Sequence, residues 1–237
     1  MTTHILRHGE THYSRQYLVN GDPTRPIRLS RDGVLSCGLV WHMLPLRQVS
    51  TWLSSEFPRA RQTASRLMGV PEPGPVIDPQ LNELDYGDFE GGPFLKYASW
   101  LEQHGGRRRP PGARESQWEG IKRMLAGLQA AVEHPSPRVV VCHGLLVSVL
   151  HWYRERSVAG DSMPLLFPEA PYVQPISFED EDLLRCVKSL LSEIAAEPDS
   201  ISEPRCDAEK TRAEPEPDVA TFDRVIHPHA QRDLPDA

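Results

Sequence analysis

The chain has 237 residues, 39% of them hydrophobic, which suits one core and leaves room for one domain plus an appendage. A net charge of −7 argues against a general nucleic-acid binder, and no apolar run approaches the ~20 residues of a membrane span. Cys37, Cys142, Cys186 and Cys206 form no C-x-x-C pair and read as reduced thiols, and no export-type segment opens the chain, so the expected compartment is the cytoplasm.

The first apolar stretch, Ile5-Leu6, reads as a buried strand that runs straight into Arg7-His8-Gly9. Such an ending is either a basic loop or the floor of a phosphate-sized pocket. Residues 29–46 place Leu35, Leu39 and Met43 on one helical stripe, with Ser30 as N-cap. Residues 49–55 read as a strand ending in two serines, and 59–70 as a helix stopped by Gly69 and Pro71. After a Pro-rich link comes the acidic, turn-rich "LNELDYGDFEGG", then a short helix, "FLKYASWLEQH", and the loop "GGRRRPPGARE".

Ser116 with Glu119 forms an S-x-x-E capping box, followed at helical spacing by Ile121, Leu125, Leu128 and Val132. The β-branched run "PRVVVCHG" (137–144) ends in His143-Gly144, and 145–155 continues as a helix. Residues 172–178 form a candidate edge strand because Pro175 sits within it. The helix 179–196 carries acids in its first turn, as the helix dipole prefers. Alternation of this kind predicts an α/β three-layer sandwich with a mostly parallel central sheet flanked by helices. The domain is expected to span 1–196, with a small insertion at about 88–115, and 197–237 to be an acidic, Pro-rich, disordered tail.

In a parallel sheet the strand C-termini share one edge, where ligands bind. Arg7-His8-Gly9, Arg59 and His143-Gly144 all fall at or just after strand ends, so residues distant in sequence converge there. Two guanidinium groups offer bidentate donors to a phosphoryl group, helix N-termini add free N–H groups, and a neutral imidazole between them can attack phosphorus. Taken singly, Arg59 is a solvated helix residue and either histidine a structural one; together at three strand ends they make a site.

The stretches "LRHGET", "SSEFPRARQTA", "LNELDYGDFEG" and "VVVCHG", in this order, resemble the histidine phosphatase superfamily, in its phosphoglycerate-mutase-like branch. The resemblance covers residues 4–155, and reaches 195 when the last strand and helix are included. It implies that His8 is the phosphorylated nucleophile, Arg7 and Arg59 are the phosphate clamp, and His143 donates to the phosphoryl oxygens. It gives Glu83 the role of proton donor to the leaving group. Asn20-Gly21 matches a loop that touches the phosphate through its backbone, and Gly144 belongs to the phosphate-binding strand end. No metal and no cofactor are implied.

Departures from the family pattern are Ser14 where Asn is common, Cys142 where Ser or Thr is common, and "PPGARES" for P-x-G-E-S. Mutases of the family carry Arg after the catalytic glutamate and His-Gly-Asn at the second histidine; here stand Leu84 and Leu145. The Arg107-Arg108-Arg109 cluster reads as a solvated loop, or as a gate for anionic substrates. The implied function is a phosphomonoester hydrolase working through phosphohistidine on a small phosphorylated metabolite. A cofactor-dependent phosphoglycerate-type mutase and a non-catalytic phosphate-binding protein are the alternatives. A homodimer, and a protein partner for the tail, are left open.

Overall fold

The computed structural model describes residues 1–40, 48–69, 73–156 and 162–196. Met43 of the predicted stripe, Pro71, Cys206 and the acidic tail lie outside them. Among the described residues five strands form one mixed sheet, in the order β3-β2-β4-β1-β5. They are β1 (Thr2–Arg7), β2 (Thr51–Ser54), β3 (Val76–Ile77), β4 (Arg138–Cys142) and β5 (Ile176–Glu179). β1, β2, β3 and β4 run parallel to one another, and β5 pairs antiparallel with β1 at the edge. Pro175 stands immediately before β5, where its missing N–H costs the ladder nothing.

The helices are α1 (His12–Arg15), α2 (Arg31–Leu39), α3 (Pro58–Met68), α4 (Phe94–His104), α5 (Gln117–Ala131), α6 (Gly144–Glu155) and α7 (Asp180–Ala196). Strand alternation divides them into layers. Leu6, Val139 and Val141 pack with Phe57, Ala60, Ala64 and Leu67 on the face covered by α2 and α3. Ile5, Val140 and Cys142 join Leu125, Leu146, Leu150 and Leu190 on the face covered by α5, α6 and α7. The central strand β4 is buried on both faces, which explains its unbroken Val-Val-Val-Cys run.

The local signals account for most element ends. Ser30 accepts from the Gly33 N–H, Ser116 and Glu119 form the reciprocal capping box, and Gly69 closes α3 in the left-handed region at φ 68°. The stripe on α2 needs correcting. Leu35 and Leu39 are 61% and 72% exposed, while Gly33, Cys37 and Val40 face inward. Gly33 decides the rotation: a Cβ there would sit 2.2 Å from the Glu10 carbonyl oxygen, so only a glycine face can approach. Ser30 reinforces it, donating from its backbone N–H and from Oγ to the carbonyl and carboxylate of Glu10. The strand β3 and the single-turn helix α1 are elements that periodicity does not announce.

Candidate active site

β1, β2 and β4 end side by side, and each C-terminus delivers part of one cluster. His8 follows β1, with its N–H on the Cys142 carbonyl at 3.0 Å, so the two histidine-bearing strand ends are locked in register. His8 and His143 lie edge to face with ring centroids 5.2 Å apart. Arg59 enters from the first turn of α3 and reaches both rings. Its Nε donates to His8 Nε2 at 2.9 Å, and one Nη donates to His143 Nδ1 at 3.2 Å.

A guanidinium has only donors, so both contacted ring nitrogens are lone-pair acceptors. His8 Nδ1 then carries the proton and donates to the Gly9 carbonyl at 2.7 Å. His143 Nε2 carries its proton toward Ser55 Oγ at 2.8 Å. Both imidazoles are neutral. Burial first, then the arginine charges, holds each well below the ordinary histidine range. In this arrangement the inward nitrogen of His143 accepts from Arg59; donation to a phosphoryl oxygen is expected only once that oxygen takes the guanidinium's place.

The α3 motif positions these groups. Thr63, one turn beyond Arg59, accepts from the Gly9 N–H at 3.0 Å and donates to the Arg59 carbonyl at 2.8 Å. Gln62 accepts from the Leu29 N–H at 3.0 Å. The Arg59 guanidinium lies 4.3 Å over the Phe57 ring. Its other partners are the side-chain oxygen of Asn20, through a short hydrogen bond, and the Asn20 carbonyl at 3.0 Å. None of these partners is a carboxylate, and burial lowers its pKa to about 10.

Arg7 is treated differently. It forms an ion pair with Glu169 at 2.7 Å, donates to the Ala170 carbonyl at 2.6 Å and stacks 3.9 Å over the Tyr172 ring. Its Nε is buried with no hydrogen-bond partner among the described residues, leaving a donor available. The Tyr172 hydroxyl accepts from Arg7 and donates to Glu169, both at 3.1 Å. Val173 takes φ 56°, a left-handed conformation costing roughly 1–3 kcal/mol for a residue other than glycine, and its N–H bonds to the Arg7 carbonyl at 3.0 Å.

Glu83 lines the same cavity as Arg7, His8, Arg59 and Gly144. Burial pushes its pKa up, which favours the neutral acid, against the pull of the Leu84 N–H at 3.0 Å and of the arginines. Its loop is fixed from behind by Arg123, which donates to the carbonyls of Gln80, Asn82 and Glu83 and pairs with Glu115.

The Asn20-Gly21 loop departs from expectation. The Gly21 N–H is taken by Glu90 at 2.7 Å, and the Asn20 side-chain amide donates to the same carboxylate at 2.8 Å, so the loop orients Arg59 and its Gly21 N–H is already committed. A Cβ on Gly21 would fall 1.8 Å from the Leu84 carbonyl oxygen, which places this loop directly on the backbone beside Glu83. Ser14, where the family often has Asn, is absorbed in a capping box with Thr11.

Gly144 opens α6, whose first turn has His143 as N-cap with no side-chain capping bond. Cys142 is fully buried, a packing residue as its neighbours require. The arginine cluster stands apart from the cavity: Arg107 bonds the Ile194 carbonyl and Arg109 forms a two-pronged pair with Glu119. Among the described residues no group of three or more His, Cys, Asp or Glu is arranged to hold a metal ion.

Ser55, Glu90, Glu169 and Tyr172 are the site residues that sequence reasoning misses. Glu90 leaves a signal as one of several acids in the turn after Glu83, and Ser55 as the second serine of the stretch "SSEFPRARQTA".

The sequence pattern of the histidine phosphatase superfamily (branch 1) matches residues 3–160. A protein of Yersinia pestis (strain Pestoides F) described as probable phosphoglycerate mutase GpmB is 29% identical over 160 residues, 63% of this chain and 73% of that one. Mycobacterial glucosyl-3-phosphoglycerate phosphatase, solved with VO3, superposes with a TM-score of 0.58 at 23% identity, covering 74% of this chain and 91% of its own. Alpha-ribazole phosphatase from Shigella flexneri superposes at 0.59 with 22% identity, covering 76% and 90%. These two likenesses are likenesses of fold.

Proposed function

Because the chain belongs to the histidine phosphatase superfamily, we propose that it is a phosphomonoester hydrolase whose His8 Nε2 carries the phosphoryl group between two half-reactions. One observation carries this reading: a neutral imidazole, its proton fixed on Nδ1 by the Gly9 carbonyl, presents the Nε2 lone pair beside two buried guanidinium groups.

Attack by Nε2 on phosphorus forms an N–P bond as the bond to the leaving oxygen breaks, and Glu83 gives that oxygen its proton. Arg59 moves its Nε hydrogen bond from the nucleophile to a phosphoryl oxygen, and Arg7 supplies its unpartnered Nε–H. Water then attacks phosphorus and the N–P bond breaks. The Glu83 carboxylate takes the proton that the water loses, which restores the starting acid. The guanidinium groups supply the charge stabilisation, so turnover is expected to survive exhaustive chelation with EDTA.

Quenching during turnover should trap an acid-labile, base-stable phosphoenzyme. His8→Ala should lose it together with turnover, and full activity in that variant would sink the mechanism. Glu83→Gln should lose about 10²–10⁴-fold with an alkyl phosphate and much less with para-nitrophenyl phosphate, whose leaving group needs no proton. The mutase reading is favoured by the likeness to GpmB. Against it, Leu84 is apolar and packs in the core where mutases carry an arginine.

A further inference from the structure

The substrate's alcohol can be read from the same cavity, and the inference rests on the hydrolase reading. The cavity measures about 180 Å³, and its charged end is confined to Arg7, Arg59, Glu83 and Glu169 among the described residues. The apolar part of the lining includes Leu18, Phe94, Leu145, Leu165, Leu166 and Phe167, with Tyr13, Tyr17, Tyr86, Tyr97, Gln117 and Ser148 among them. Of these, Leu18, Phe94, Leu145 and Leu166 are only half-buried because they border the cavity.

The wall is built, not draped. Phe94 donates its N–H to the Tyr17 carbonyl at 2.7 Å, and Leu18 bridges Pro93 in antiparallel fashion. On the other side, Gln117 holds the Leu165 carbonyl at 2.7 Å and Ser148 holds the Pro168 carbonyl at 2.7 Å.

We propose that the preferred substrate is a monophosphate ester of an uncharged, largely apolar alcohol of about one ring in size. A second anionic group finds no lining cation other than Arg7 and Arg59 among the described residues. Arg7 is already paired with Glu169, and the nearby cations are committed elsewhere: Arg25 to Glu90, Arg114 to Asp85, and Arg15 to Glu10 and Asp32. A carboxylate on the alcohol would instead approach Glu83 and Glu169, unpaired and partly desolvated. An apolar group loses nothing on leaving water and gains from each methylene that meets the wall. Apolar cavities of about 150 Å³ hold one benzene-sized ring.

Binding and turnover test this separately. Ethyl-, butyl- and hexylphosphonate, which cannot be hydrolysed at the P–C bond, are titrated by calorimetry, alongside 3-phosphoglycerate. Affinity is expected to rise about fourfold per methylene, with 3-phosphoglycerate weaker than hexylphosphonate. The matching alkyl phosphates should rise similarly in kcat/KM. Leu166→Lys should flatten the phosphonate series and strengthen 3-phosphoglycerate.

A flat series in the unmutated protein, or 3-phosphoglycerate binding more tightly than hexylphosphonate, would overturn the apolar-alcohol proposal while phosphohistidine trapping still stood. Graded phosphonate binding with no turnover of any ester would overturn the hydrolase reading, and with it the claim that these compounds are substrates.

Discussion

Arg138 and Arg59 are both almost wholly buried, 1% and 4% exposed, and they sit at opposite ends of the same sheet. At the strand N-termini Arg138 donates to the Asp180 carboxylate at 2.6 Å, to Thr3 at 2.9 Å and twice to the His134 carbonyl. At the C-termini Arg59 donates to neutral acceptors, two imidazoles and two oxygens of Asn20. One cation is neutralised by a direct ion pair, and the other is held by neutral acceptors, with the Glu83 and Glu90 carboxyls near it but not bonded to it. A buried charge without a bonded counter-ion is unfavourable until an anion arrives, and then it interacts strongly because little water screens it. On the proposed reading, the two ends of the sheet divide the labour between holding the domain together and holding a phosphate.

The comparison breaks first at Arg59. Arg59→Met should lower kcat/KM by about 10³-fold or more, yet leave the urea midpoint nearly unchanged. A loss below tenfold would mean that the stored charge is not used. Asp180→Ala should do the reverse. It leaves Arg138 buried and unpaired, at a cost of about 3–5 kcal/mol in stability, with kcat/KM of the folded fraction intact.

Glu90 sharpens the contrast, since it holds Asn20, which holds Arg59. Glu90→Gln should lower kcat by about 10–100-fold through misplacement of the guanidinium. Vanadate inhibition should weaken in parallel, and a variant that keeps full vanadate affinity would exclude this positioning role.

The smallest effect is on pH. His8 and His143 have folded pKa values depressed below the unfolded value, so their contribution to stability is fully present above about pH 6.5 and lost as pH falls toward the folded values. Every tenfold loss of proton affinity on folding corresponds to about 1.4 kcal/mol. Glu83 has the opposite sign: its raised pKa favours folding at low pH, and that gain is lost as pH rises through the folded value. Urea melts of His143→Asn from pH 7 to pH 5 should show a shallower decline than the unmutated protein, and an unchanged slope would mean that His143 is not held neutral.

Signals that act within a few residues are legible in the sequence. Ser30, Gly69 and the Ser116–Glu119 box end helices by bonds to their own backbone, and the four-residue apolar run of β4 could only be a buried strand. The cluster of His8, Arg59 and His143 is legible because parallel strands bring their ends together, whatever lies between them in sequence.

What cannot be read depends on contacts between distant segments. Spacing alone puts Leu35 and Leu39 on the wrong side, because the rotation of α2 is set by Gly33 against Glu10. Glu169 and Tyr172 reach Arg7 from the segment ahead of β5, where the expected strand 172–178 gives way to one at Ile176–Glu179. The family stretch that contains Ser55 does not say that it meets His143 at 2.8 Å. Val76 and Ile77 are two residues pairing with an edge, too few for alternation to register.

Gly21 and the Leu84 carbonyl touch so closely that the residue can carry nothing larger than hydrogen. The loop that steadies the clamp and the loop that bears the acid are thereby inherited as a single part. A substitution that shifts one shifts the other, so drift in either is penalised twice. The half-buried Leu18 and Leu166 of the far wall border the cavity itself, where a change of side-chain size meets open space. On the proposed reading, a change of alcohol is expected to come from substitutions along that wall, whereas a substitution at Gly21 would displace both loops of the phosphate end at once.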